Sequence, residues 1–290
     1  MNSLVDIRFA KLSGAGNDFV VIDHRSGGVE DPASLARTVC TRRLSVGGDG
    51  LILLEHSKTE TFRMRYFNAD GSEADFCANG TRCAARYAHR VGIAGDDMTI
   101  ETGAGRVDAR VIGSEVELAL QPPRGWQPEK TLETTAGGVI PGSALIVGVP
   151  HYVIWSDPEE FWTKSIDALG SEIRRHPDLG PAGANVNFVR VDGAEEISVR
   201  TWERGVEGET MACGSGVTAS VAAAALNGKV RSPVTVTTRS GIVLTVSFEL
   251  EQDQIGAMRL RGDARIVFES VFTPETLAGF DPEWVRAPRG

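Results

Sequence analysis

The sequence predicts a mixed α/β protein of the α+β type, made of two similar halves in which strands outnumber helices. Three observations carry this reading. Short runs that are β-branched or alternate in polarity fill most of the chain, separated by Gly, Asp and Ser. The stretches "FCANGTRC" from Phe76 and "ACGSGVTA" from Ala212 each set a cysteine before a small-residue turn that runs into an alanine-rich segment. The two copies also share a spacing: Cys77 and Cys213 are 136 residues apart, and so are Gly105 and Gly241. Around them, "RYFNADGSEADFC" matches "RTWERGVEGETMAC" with a one-residue slip, and "DFVVID" matches "NFVRVD". A strand, acidic-Gly loop, Cys turn, helix, strand series that occurs twice predicts a pseudo-twofold molecule. Its natural active site is the cleft between the halves.

The elements follow in order. "VDIRFAKLS" and "DFVVID" read as strands, and "DPASLARTVCTRRL" as a helix with Asp31 as N-cap and Pro32 in the first turn. "GLILLE" and "FRMRYFN" are strands, "GTRCAARYAHRVG" is a helix, and "MTIETG", "RVDARVI" and "EVELAL" are strands. Pro122 and Pro123 mark the boundary, so the halves are expected at 1–121 and 122–265. "ALIVGVPHYVIW" reads as strands around a tight turn and "PEEFWTKSIDALGSEIRRH" as a helix. "NVNFVRVD", "ISVRTWER", "VTVTTRSG" and "IVLTVSFELE" are strands, with "GVTASVAAAALNGKV" as the helix among them.

The chain has 290 residues, 41% hydrophobic and 24% charged, in the range of a soluble globular protein. Its net charge of −9 argues against nucleic acid and against an anionic membrane surface as partners. No apolar run approaches the roughly 18 residues of a spanning helix. The start "MNSLVDIRFAKLSG" lacks the order of a signal peptide, so a cytoplasmic location is expected, where thiols stay reduced. The four cysteines show no Cys-x-x-Cys pair, and no metal site is expected.

Cys40 and Cys83 fall in apolar helical patterns and read as small core residues. Cys77 and Cys213 each precede a predicted helix start, where thiol pKa values fall and unpaired N–H groups bind carboxylates. Two such turns could hold one carboxylate and put a sulfur on each face of the carbon bearing it. One thiolate would remove the α-proton and the opposing thiol would deliver another, which is two-base racemisation or epimerisation. No cofactor is expected: there are only five lysines, none in a context suited to a Schiff base. Without one, the cleft should close and exclude water. Asp70 and Glu73 read as solvated loop residues. His151 could equally be a structural histidine, and Asn17 a turn residue.

At these residues the chain resembles the diaminopimelate epimerases, cofactor-independent enzymes of lysine and peptidoglycan biosynthesis. "KLSGAGNDFVVID", "FNADGSEADFCANGTRC", "GVPHYV", "ANVNFV" and "WERGVEGETMACGSG" stand in family order along nearly the whole chain. The resemblance implies two α/β domains, each a mostly antiparallel barrel-like sheet around a central helix. It also implies that a final segment, about 266–290, returns to the first domain. It implies that Cys213 takes the proton from the LL-isomer while Cys77 donates on the other face. Asn17, Asn68, Ala78, Asn79, Asn185, Arg204, Gly214 and Ser215 would bind substrate, with Glu203 and His151 beside the reacting centre and Glu203 accepting from the ammonium group. It implies a homodimer. Three positions depart from the family pattern: Val149 stands where many members have Asn, Gly50 where some have Gln, and Ala78 where many have Gly. A two-thiol racemase of another amino acid, and a non-catalytic amino-acid-binding relative, are the alternatives.

Overall fold

The computed structural model describes residues 7–278. In chain order the elements are β1 (Arg8–Gly14), β2 (Asn17–Asp23), α1 (Pro32–Val39), β3 (Gly50–Glu55), β4 (Phe62–Asn68), β5 (Glu73–Ala74), α2 (Ala78–Arg90), β6 (Asp97–Thr102), β7 (Gly105–Ile112) and β8 (Glu115–Leu120). There follow β9 (Arg124–Thr134), β10 (Gly138–Val147), β11 (Val149–Trp155), α3 (Asp167–Arg174), β12 (Asn185–Gly193), β13 (Glu196–Glu203), β14 (Gly208–Thr210), α4 (Gly214–Leu226), β15 (Val234–Thr237), β16 (Val243–Glu251), β17 (Gln254–Asp263), β18 (Arg265–Val271) and α5 (Pro274–Leu277). The chain divides into two compact units: one runs to Ser114 and resumes at Ala264, the other is Glu115–Asp263.

In the first unit the strands run β18, β1, β2, β3, β4, β6, β7 across the sheet, with β5 added to β4. The pairs β2–β3 and β4–β6 are parallel and the others antiparallel. A tight turn at Ala15 and Gly16, both with positive φ (51° and 92°), joins β1 to β2 and seats Asn17 opposite Gly14. One layer is packed by α1, whose Leu35, Ala36 and Val39 join Val20, Ile22, Leu51, Leu53 and Phe67 in a core cluster. The helix starts as expected, with the Asp31 side chain accepting from Ser34 N and Pro32 in the first turn. The other layer is α2, which packs on β1, β2, β3, β4, β7 and β18.

The second unit repeats this plan: β9, β10, β11, β12, β13, β15, β16, β17 and β8 in order, with β14 added to β13. Only β11–β12 and β13–β15 are parallel, the counterparts of β2–β3 and β4–β6. The inner helix is α4, packed on β10, β11, β12, β13, β16 and β17 and buried nearly all round. Its small side chains (GSGVTASVAAAAL) let strands approach on every side. The outer layer holds α3 and a core of Tyr152, Ile154, Phe161, Ile173, Phe188 and Trp202. In each unit the strands wrap an inner helix, the arrangement that the resemblance implies.

Three expectations are corrected. The strand β8 pairs with β17, so it goes with the second unit and the division falls at 114/115 instead of 121/122. The proline-bearing stretch after Pro123 is a long edge strand, β9, paired only with β10 among the described residues. Pro128 is tolerated there because an edge strand needs half its N–H groups for no ladder. The helix expected over 158–176 forms only at Asp167–Arg174. Before it, the buried Arg200 guanidinium binds the carbonyls of Phe161 and Lys164 (2.6 and 2.7 Å) and holds the chain in turns, so that Phe161 reaches the core.

Candidate active site

Cys77 is the N-cap of α2, with extended backbone (φ −144°, ψ 111°), and its sulfur accepts from Gly80 N at 3.4 Å. Its carbonyl accepts from Thr81 N and Thr81 Oγ1 (2.7 and 2.9 Å). Cys213 holds the same N-cap position of α4 with similar backbone (φ −116°, ψ 110°), and its sulfur lies 3.4 Å from Ser215 Oγ. All four cysteines carry thiols. Cys40 and Cys83 are in the core, and burial pushes the Cys40 thiol up to about 12. That thiol stays protonated, whereas the sulfurs of the two N-cap cysteines sit where helix N–H groups favour negative charge.

In the first unit the structure gathers Asn17, Asn79, Ala78 and Cys77. The Asn79 amide donates to Asn17 Oδ1 at 2.7 Å, which ties the start of β2 to the first turn of α2. Ala78, the first residue of α2, is buried with its neighbour Asn79. Asn68 ends β4, and its side chain donates to Ser72 Oγ at 3.0 Å, closing the loop before β5. Asp70 accepts from Ser72 N and Oγ, and Glu73 pairs with Arg65, so both have structural work in that loop. Position 50 is closed to a side chain: a Cβ there would meet the Tyr66 ring and lie 2.5 Å from the Phe67 carbonyl.

In the second unit Asn185, at the start of β12, accepts from Arg204 N through Oδ1 at 2.7 Å. This holds the turn after β13 that carries Glu203 and Arg204. Glu207 fixes the far side of the turn, accepting from Arg174, Arg175 and Gly205 N. Gly214 and Ser215 open α4. His151, on β11, is 1% exposed and bonded at Nδ1 to Asn187 Nδ2 (3.1 Å), while Asn187 Oδ1 accepts from Thr201 (3.0 Å). Asn187 thus links the Thr201 hydroxyl to the ring at Nδ1. Burial pulls the His151 pKa down to about 3, with the Val147 carbonyl opposing and the Arg204 charge adding to the fall. His151 is therefore a neutral imidazole at neutral pH.

Sequence reading missed Asn187 and Thr201 beneath α4, and Asp49 and Arg82 beside Asn17 and Asn79. Asn187 was detectable, since "NVNF" repeats Asn at the two-residue period of one strand face. The registers correct the match of "DFVVID" with "NFVRVD": β2 and β3 pair in parallel as β11 and β12 do, so the counterpart of β2 is β11 and that of β12 is β3. His151 pairs with Asn185 as Phe19 pairs with Gly50, so Val149 is the counterpart of Asn17 and Asn185 of Gly50.

The diaminopimelate epimerase family model matches residues 9–120 and 143–267. A diaminopimelate epimerase of Aquifex aeolicus is 40% identical over 284 residues, 93% of this chain and 99% of that protein. The chain belongs to the diaminopimelate epimerase family. The family member of Chlorobaculum tepidum is likewise 40% identical, over 268 residues, 90% of this chain and 100% of its own. Among solved structures, a probable proline racemase from Agrobacterium radiobacter superposes with a TM-score of 0.69 at 18% identity, covering 95% of this chain and 96% of its own. A phenazine biosynthesis protein of the PhzF family from Bacillus anthracis gives 0.68 at 16% identity, covering 92% and 99%. At those identities the likeness is one of fold.

Proposed function

We propose that this chain is an isomerase that interconverts LL- and meso-2,6-diaminopimelate, a step in making lysine and peptidoglycan precursors. The observation that carries the reading is the pair of cysteines at the N-cap positions of α2 and α4, in a chain that belongs to this family. In the LL to meso direction the Cys213 thiolate takes the α-proton, forming S–H. The Cys77 S–H gives its proton to the opposite face of the carbanion, and the roles reverse in the other direction. The carbanion's charge spreads into the substrate carboxylate, and N–H groups of the turns at Ala78–Asn79 and Gly214–Ser215 stabilise it there. Glu203 accepts from the ammonium group. Arg204 grips a carboxylate in its planar fork, and Asn17, Asn68, Asn79 and Asn185 bind the remaining polar atoms. Asn185 spends Oδ1 on Arg204 N, so its role toward substrate is as an N–H donor. His151, a neutral imidazole, lines the reacting centre through Nε2.

The same chemistry on another amino acid is the second reading, favoured by the closed position 50, from which no side chain can reach a distal head group. One assay separates the two. Reduced protein and LL-diaminopimelate in D2O are followed by NMR for loss of the α-proton signal and growth of the meso isomer. Exchange with isomer formation supports the first reading. Its absence, together with exchange on another amino acid from a panel, supports the second, and binding without exchange on any would sink both.

A cytoplasmic, homodimeric enzyme is part of this proposal. The edge strand β18 exposes Val267, Phe268 and Val271, an apolar row suited to a second copy. Light scattering on the eluted protein should give twice the chain's 31.0 kDa.

A further inference from the structure

Two amides facing each other are ambiguous. Asn17 and Asn79 could both turn over and still share one hydrogen bond, yet they would then offer the opposite atoms to a ligand. What removes the ambiguity lies at either end of the pair. Asn17 Nδ2 donates to Asp49 Oδ2 at 2.8 Å, and a carboxylate only accepts. Arg82 Nη2 donates to Asn79 Oδ1 at 2.8 Å, and a guanidinium only donates. Between them Asn79 Nδ2 donates to Asn17 Oδ1. The four residues form one directional line, from Arg82 through Asn79 and Asn17 to Asp49.

Both ends are themselves held. Arg82 is fully buried on α2. Asp49 accepts from Asp18 N (3.1 Å) through the oxygen that Asn17 uses, and from Arg42 Nη2 (2.8 Å) through the other. Its backbone N–H donates to Asp18 O (2.7 Å) and its carbonyl accepts from Ala69 N (3.1 Å). Arg42 and Lys11 in turn both bind the Asp18 carboxylate.

We propose that Asp49 and Arg82 are positioning residues: by being acceptor-only and donor-only, they set the sense of the Asn17–Asn79 pair so that the second N–H of Asn17 is the group offered to substrate. The inference rests on Asn17 being a substrate contact. Asp49→Asn tests it, because an amide at 49 can donate as well as accept, so the sense of the line is then fixed from the Arg82 end alone. The variant should raise KM for diaminopimelate about tenfold while kcat changes less than about threefold. Asp49→Glu, still acceptor-only, should restore most of the affinity. In an Asn17→Ala background Asp49→Asn should add almost nothing, as expected of residues acting through one another. Additive losses in that cycle would overturn the proposal, since a merely structural Asp49 would act whether or not Asn17 is present.

A readout without activity keeps the inference separate from the function. Side-chain amide signals of Asn17 and Asn79, in protein labelled at asparagine, should be single and slow to exchange in the wild type. In Asp49→Asn they should shift and double. Unchanged signals in a folded variant would overturn the relay itself. Should Asp49→Asn fail to fold, Arg82→Lys, which stays donor-only, is expected to leave the signals single, and doubling there would overturn it. If Asn17→Ala leaves kcat/KM unaltered while the signals behave as expected, the substrate role of Asn17 fails and the orienting relay stands.

Discussion

Cys77 and Cys213 hold equivalent places but rest on different floors. A Cβ on Gly80 would lie 3.2 Å from Ile52 Cδ1 and 3.4 Å from Met64 Cε, so the first thiol's turn sits on apolar carbon. A Cβ on Gly216 would lie 2.5 Å from Asn187 Oδ1 and 2.8 Å from Thr201 Oγ1, so the second sits on the hydrogen-bonded line that ends at His151. The two-base reading needs both sulfurs in every turnover. Cys77→Ser and Cys213→Ser should each lower turnover by about 10²–10⁴, the span ascribed to one acid or base. Isomer formation followed by NMR checks this, and a largely active single variant would break the mechanism. His151 makes a stability prediction with a definite sign. Its folded pKa is about 3 against a usual 6.5, so protons favour the unfolded chain. Its contribution is complete above about pH 6.5 and declines by about 1.4 kcal/mol per pH unit as the pH falls toward 3. Between pH 6.5 and 5 the urea-unfolding stability of wild type should drop about 2 kcal/mol more than that of His151→Gln.

At the scale of elements, the two inner helices are positioned by how closely their first turns approach the sheet. The approach is nearer for α4, whose floor atoms are polar and locked in hydrogen bonds to one another. Gly216→Ala would have to push Asn187 or Thr201 aside, and overpacking of that kind costs about 1–3 kcal/mol. Gly80→Ala meets only flexible ends of Ile52 and Met64 and should cost well under half as much. Thermal unfolding of the two variants side by side reads the difference, and equal losses would mean that the polar floor gives way. Activity should follow the same order, because moving the first turn of α4 moves the Cys213 sulfur and the N–H groups beside it.

At the scale of the molecule, the first unit is completed by chain from the far end of the sequence. The strand β18 pairs antiparallel with β1, from Arg8 opposite Val271 to Ser13 opposite Arg265. Just beyond it, Phe272 is 1% exposed and stacks on Phe9 with ring centroids 4.5 Å apart. Phe272 also belongs to the cluster that α1 covers. Phe272→Ala should therefore destabilise the protein by about 3–5 kcal/mol, the usual loss for a buried Phe truncated to Ala. Calorimetry measures it, and a loss under about 1 kcal/mol would mean that the returning segment does not seal this core.

What the sequence by itself determined was whatever depends on local spacing and local chemistry. The duplicated Cys-turn-helix device, the caps at Asp31, Cys77 and Cys213, the inner helices and most of the strands were legible, because periodicity and capping are properties of neighbours in the chain. The candidate site residues were named from motifs of the same local kind. The tertiary structure decided what depends on pairing across long separations. It gave β8 to the second unit because its ladder partner is β17, made β9 a strand because β10 lay beside it, and shortened the helix around α3 because buried Arg200 needed carbonyls from Phe161 and Lys164. It also brought Asp49 to Asn17 and Arg82 to Asn79, and laid Asn187 and Thr201 beneath α4. Polar groups buried together must satisfy one another, and which groups those are is known only once the strands have met.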